Sequence, residues 1–221
     1  MRNQYVFLIV TGMLISSFNV TAQREIYTHP EFNSFAKDHK LIAIIPFKAI
    51  IKLRPKEMEK LSEEEYKTLL LDEGLSVQSA LQTYYLKRQE QGKVNSKYQV
   101  QPVMNTNALL TKAGITQENY DRFTVEELAR ILGADAIVHG ELNSSKPMSE
   151  GASMAMGLAI GFYGSTNTGD ISLNLSDGKT GTLLWKYDKT LSRSLGSDTQ
   201  TVINNLMKKA TKKWPYEELR Q

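Results

Sequence analysis

The chain opens on an apolar run, Tyr5 to Ile15, broken only by Thr11 and Gly12 and preceded by a single basic residue, Arg2. That run is too short to span a bilayer. A polar stretch, Ser16 to Thr21, follows, with Val20 and Ala22 at the −3 and −1 positions of a cleavage site before Gln23. This order is that of a secretory signal peptide, so residues 1–22 are expected to be removed and the working chain to begin at Gln23. An uncleaved amphiphilic anchor is the alternative. Residues 23–39 read as an N-terminal extension, and residues 40–216 as one domain.

From Lys40 onward, short apolar runs alternate with segments of helical spacing. Leu41 to Ile45 is nearly continuous in apolar residues, as in a strand buried on both faces, which predicts a strand over 40–47 closed by Pro46. A basic connector containing Pro55 comes next. Ser62 and Glu65 then form a capping box, and Tyr66, Leu69, Leu70, Val77, Ala80, Leu81, Tyr84 and Tyr85 recur at helical spacing up to Gly92, with a bend expected at Gly74. A weakly alternating strand is predicted over 98–104 and a short helix over 105–113, stopped by Gly114. Thr124 and Glu127 make a second capping box for a helix that Gly133 ends in a left-handed cap. In the strand that follows, 134–142, Ala136, Val138 and Leu142 share one face, and Asp135, Ile137, His139 and Glu141 the other. Strands over 170–175 and 182–191 form a hairpin about the turn Ser176 to Gly181, and a helix over 198–213 ends at Trp214-Pro215-Tyr216. This alternation predicts a single α/β (α+β) domain, a mixed β-sheet flanked by helices.

Four of these features stand in the order found in a known superfamily. They are Leu41-Ile-Ala-Ile-Ile-Pro46, the helix-strand unit Glu127 to Gly140, the hairpin Asp177 to Trp185, and Trp214-Pro215-Tyr216. In them the chain resembles the superfamily of the curli-secretion protein CsgG, the penicillin-binding-protein activator LpoB and the N-terminal domain of TolB. The resemblance implies an α/β sandwich in envelope proteins that bind other envelope proteins. It does not extend to an acylated cysteine, because the chain has no cysteine at all. Without that residue a lipid-anchored lipoprotein is not expected, and neither are disulfides.

Charge narrows the partners. The formal net charge is +3, and loss of residues 1–22 takes away Arg2 and no acid, leaving +2. So even a balance argues against nucleic acid, which needs a concentrated basic face. The densest basic cluster, Lys208, Lys209, Lys212 and Lys213, reads as the solvated face of the last helix. Gly178-Lys179-Thr180 looks like the end of a phosphate-binding loop, but Leu173 stands where the upstream glycine belongs and no helix follows, so a hairpin turn is expected. His29, His39 and His139 are not spaced as a metal pair. His139 and Glu141 share a strand face and read as a structural pair rather than an acid/base dyad. Asp72 and Glu73, like Glu63 to Glu65, read as solvated helix surface. No catalytic residue, cofactor or metal is expected, and the chain reads as a non-enzyme.

One segment departs from an ordinary domain. Within residues 148–169, the stretch Ala152 to Tyr163 is apolar, rich in small residues and free of charge. Connections between strands are normally polar. Met154, Met156, Leu158, Ile160, Phe162 and Tyr163 are therefore the candidate interaction residues, offering adaptable methionine contacts and aromatic anchors. The partner would be another envelope protein or a second copy of the chain, with a membrane surface as a further contact through 152–163. The expected role is an exported periplasmic or envelope-associated accessory factor. The alternatives are a small-molecule or nucleotide-type binding domain with hydrolase activity, and a subunit of a ring or pore. Packing of the segment within its own domain is the plainest reading of all.

Overall fold

The computed structural model describes residues 24–144, 168–192 and 199–217. The expected signal peptide and the segment 148–167 lie outside them. Seven strands form one mixed sheet in the order β1-β7-β6-β5-β2-β4, with β3 also on β5. The strands are β1 (Arg24–Thr28), β2 (Leu41–Ile44), β3 (Lys48–Ile51), β4 (Gln99–Val100), β5 (Ala136–Ser144), β6 (Thr168–Asp177) and β7 (Leu183–Ser192). Pairing is parallel among β2, β3, β4 and β5 and antiparallel from β5 through β6 and β7 to β1. The α/β class is thus as the hydrophobic pattern indicates.

Among the described residues six α-helices accompany the sheet: α1 (Phe32–Ala36), α2 (Pro55–Met58), α3 (Glu63–Glu90), α4 (Val103–Lys112), α5 (Val125–Leu132) and α6 (Thr199–Thr211). Side chains of α1, α3 and α6 close one core over Ile42, Ile44, Val138, Leu173, Trp185 and Tyr187. Residues of α4 and α5 close a smaller one over Ala43, Ile45 and Ile137 on the opposite face. Period-two alternation along β5 feeds both: Ala136, Val138 and Leu142 enter the first core, and Ile137 the second. Tyr85, Trp185, Trp214 and Tyr216 meet edge-on or tilted in the larger core, where each fully buried ring contributes on the order of 2–3 kcal/mol.

Both capping boxes form. Ser62 N donates to Glu65 Oε2 at 2.8 Å and Glu65 N to Ser62 Oγ at 3.2 Å, with the same distances repeated for Thr124 and Glu127. Gly133 adopts the left-handed cap at φ 63°.

Several boundaries differ from expectation. The strand expected over 40–47 divides, because after Ile44 the chain steps out at Pro46 and re-enters as β3, pairing with the second half of β5. What read as a basic connector therefore contains a buried strand, with Ala49 and Ile51 turned inward. The strand expected over 98–104 keeps only Gln99–Val100, since Pro102 opens α4 two residues earlier than its apolar spacing indicated. The helix α3 is continuous through Gly74. Residues 24–36, read as an extension, supply the edge strand β1 and α1. Glu73 is fully buried rather than solvated, while its neighbour Asp72 is exposed: successive helical residues point about 100° apart, and only one faces the sheet.

Candidate functional site

The two ends of the sheet carry different chemistry. At the end where β2 and β5 begin and β6 finishes, three polar side chains far apart in sequence meet in the interior. Asp177, the last residue of β6, accepts from His39 Nε2 at 2.8 Å through Oδ1. Because a carboxylate only accepts, Nε2 carries a proton, and Nδ1 lies 2.5 Å from the Tyr216 hydroxyl. The second Asp177 oxygen accepts from the backbone N–H of Lys179 and Thr180 and from the Thr180 hydroxyl. All three side chains are buried. Burial raises the Asp177 carboxyl, but the hydrogen bonds from His39 and Thr180 and the nearby imidazole outweigh it, leaving the pKa below its ordinary value. Burial holds the Tyr216 phenol well above its usual range, assisted by Tyr85, Tyr98 and two carboxylates.

A concavity of about 630 Å³ opens beside this brace, lined among others by His39, Glu126, Arg130, Asp135, Asp177 and Lys179. Asp135 caps the start of β2, accepting from the N–H of Lys40 and Leu41 at 2.8 Å each. With both His39 nitrogens and both Asp177 oxygens bonded, the arrangement fastens the hairpin turn and the C-terminal Tyr216 to β2. The Gly178-Lys179-Thr180 sequence is the hairpin turn, as expected. Sequence reasoning missed His39, whose partners lie 138 and 177 residues away. Only topology joins them, and the pieces visible in advance were the Asp177 turn and Trp214-Pro215-Tyr216.

On the outer sheet face, side chains align across strands. Tyr27, Lys186, Asn174 and His139 occupy one row, and Glu25, Asp188, Ser172, Glu141 and Lys48 the next. His139 and Glu141 share this face but do not bond to each other. Residues i and i+2 of a strand stand about 7 Å apart, and each finds a nearer partner. His139 Nε2 lies 3.5 Å from Ser176 Oγ, and Asn143 Nδ2 donates to Glu141 Oε1 at 3.1 Å. Burial lowers the His139 pKa, keeping the ring neutral. Tyr120 is pushed up to about 12, mainly by burial and then by the charge of Glu141. A shallow concavity of about 340 Å³ includes Glu141 but not His139. Among the described residues no group of three or more His, Asp or Glu is placed to hold a metal.

Met154, Met156, Leu158, Ile160, Phe162 and Tyr163 lie outside the described residues. The anchors of their segment do not. Ser144 of β5 pairs with Gly169 of β6, so residues 145–167 leave and rejoin the sheet side by side, at the end opposite His39.

No family model matches the chain, and no curated protein matches it. Solved structures of similar outline exist. A PelC dodecamer from Paraburkholderia phytofirmans is 10% identical, covering 91% of this chain and 100% of that one, at a TM-score of 0.43. Lipoprotein GNA1162 from Neisseria meningitidis is 14% identical over 79% of this chain and 95% of its own, at 0.40. The LpoB C-terminal domain from Salmonella enterica is 11% identical over 74% and 94%, at 0.33. At these values the likeness assigns no residue and no activity here.

Proposed function

We propose that this chain is exported and acts as a non-enzymatic accessory domain of the cell envelope, working through protein contacts made by the apolar segment 152–163. The observation that supports this reading is where the strands that flank the segment end. The neighbouring strands β5 and β6 are antiparallel and in register to Ser144 and Gly169, a geometry that a turn of about two residues can close. The chain instead runs through residues 145–167, whose centre is uncharged and apolar. Closing the hairpin does not require such a stretch, whereas an apolar contact surface would use one. The motif resemblance to the CsgG, LpoB and TolB proteins supports the same role, with a second copy or another envelope protein as partner.

The polar groups of the described residues fit a scaffold better than a catalyst. His39, Asp177 and Tyr216 brace one end of the sheet, and His139 and Glu141 are tied to strand neighbours. The second reading, a small-molecule binding domain, is favoured by one feature, the 630 Å³ concavity beside His39. A photo-crosslinking residue in place of Phe162, in the exported chain inside cells, separates them. The expected outcome is a discrete crosslinked species of protein mass, absent when the same residue replaces exposed Met104 on α4. Equal labelling from both positions would overturn the reading.

A further inference from the structure

The sequence shows one basic cluster, on α6. The fold makes it half of a larger one. The helices α3 and α6 pack together, Tyr85 of α3 meets Trp214 just past the end of α6 edge-on at 5.8 Å, and residues of both C-terminal ends line one groove. The groove has a volume of about 380 Å³, and its lining includes Tyr84 and five cations: Lys87, Arg88, Lys93, Lys208 and Lys212. Among the described residues no carboxylate lines it, and Glu90, the acid nearest in sequence, is exposed on α3 outside the groove. Among the described residues no ion pair engages Lys87, Lys93, Lys208 or Lys212. Lys93 only donates to Gln91 Oε1.

The plain explanation for lysines in these turns is the negative end of a helix. Its magnitude is insufficient. Two helix C-termini present roughly one negative charge between them, against the four lysine charges. About three positive charges are left over in a concave site on a chain whose formal net charge is only +3. A phosphoryl group brings about −1.5 to −2, so two of them match that excess, where three carboxylates would be needed. Tyr84 adds a hydroxyl at the wall. The cavity is of the size that holds a small ligand rather than a flat surface.

We propose that this groove binds a ligand carrying two or more phosphoryl groups. The proposal stands or falls independently of the accessory role.

The test uses the mature chain from Gln23 onward, with pyrophosphate as the probe in isothermal titration calorimetry. Saturable one-to-one binding is expected, weakening steeply as sodium chloride rises. Lys208→Gln with Lys212→Gln, and separately Lys87→Gln, should each weaken it roughly ten-fold or more. Lys52→Gln with Lys56→Gln removes two exposed charges elsewhere and should change it by less than about two-fold. All these lysines are exposed, so the fold should survive, and unchanged thermal midpoints will show it. Absence of saturable binding overturns the proposal. So does equal weakening by the Lys52 and Lys56 pair, which would mean nonspecific attraction. Binding to phosphatidylglycerol vesicles without binding to pyrophosphate also overturns it, and would identify the groove as a membrane-surface contact.

Discussion

His139 is held neutral because burial disfavours its charged form, and its only described partner is a hydroxyl at 3.5 Å. A histidine whose folded pKa lies below its unfolded value binds fewer protons in the fold than out of it. Its contribution is therefore fully present above pH of about 6.5 and declines as pH falls from there through the lowered folded value. We expect the thermal midpoint of the wild-type chain to drop between neutral pH and mild acid, and His139→Gln to flatten that slope. Equal slopes would mean His139 carries no such linkage. Side-chain environment was only partly legible in sequence. His139 and Glu141 were correctly placed on one face, because strand alternation is a local rule. That Glu73 is buried beside exposed Asp72 was not visible, since an acid on a helix reads as surface whichever way the helix is turned.

Local signals fixed the elements that are self-contained. Each capping box spans four residues, and the Gly133 cap ends its helix where the apolar spacing stops, so the starts of α3 and α5 and the end of α5 were readable in advance. β3 was not, because Lys48 to Ile51 is a strand only by virtue of its pairing with Glu141 to Ser144. Gly74 belongs with the unreadable features for the same reason. In an open helix, Ala in place of Gly would stabilise by about 1 kcal/mol. Here a Cβ at residue 74 would stand 2.0 Å from the Phe47 carbonyl oxygen and 2.0 Å from Gln117 Nε2. The Gln117 amide can move, but the backbone carbonyl is held between α3 and β3. Gly74→Ala should therefore destabilise by a net 2 kcal/mol or so in urea denaturation, with α3 displaced from Phe47. A gain in stability would show that the close approach relaxes freely.

At the scale of the molecule, the sheet order and the His39, Asp177 and Tyr216 brace exist only once residues more than a hundred positions apart are joined. Composition and pattern gave no access to them. The basic groove between α3 and α6 is of the same kind, visible as half a cluster until the fold supplies Lys87, Arg88 and Lys93. The apolar segment was legible from composition alone, and the structure adds where its two ends are fixed. Its character as a surface is the central claim. Thermal unfolding of the mature chain beside a Met156→Glu, Ile160→Glu variant tests that claim most directly. A binding surface tolerates both charges in the free chain, so the account predicts midpoints within about 2 °C of each other. Two carboxylates forced into a core would remove several kcal/mol, and a drop of more than about 10 °C, or failure to fold, would contradict it.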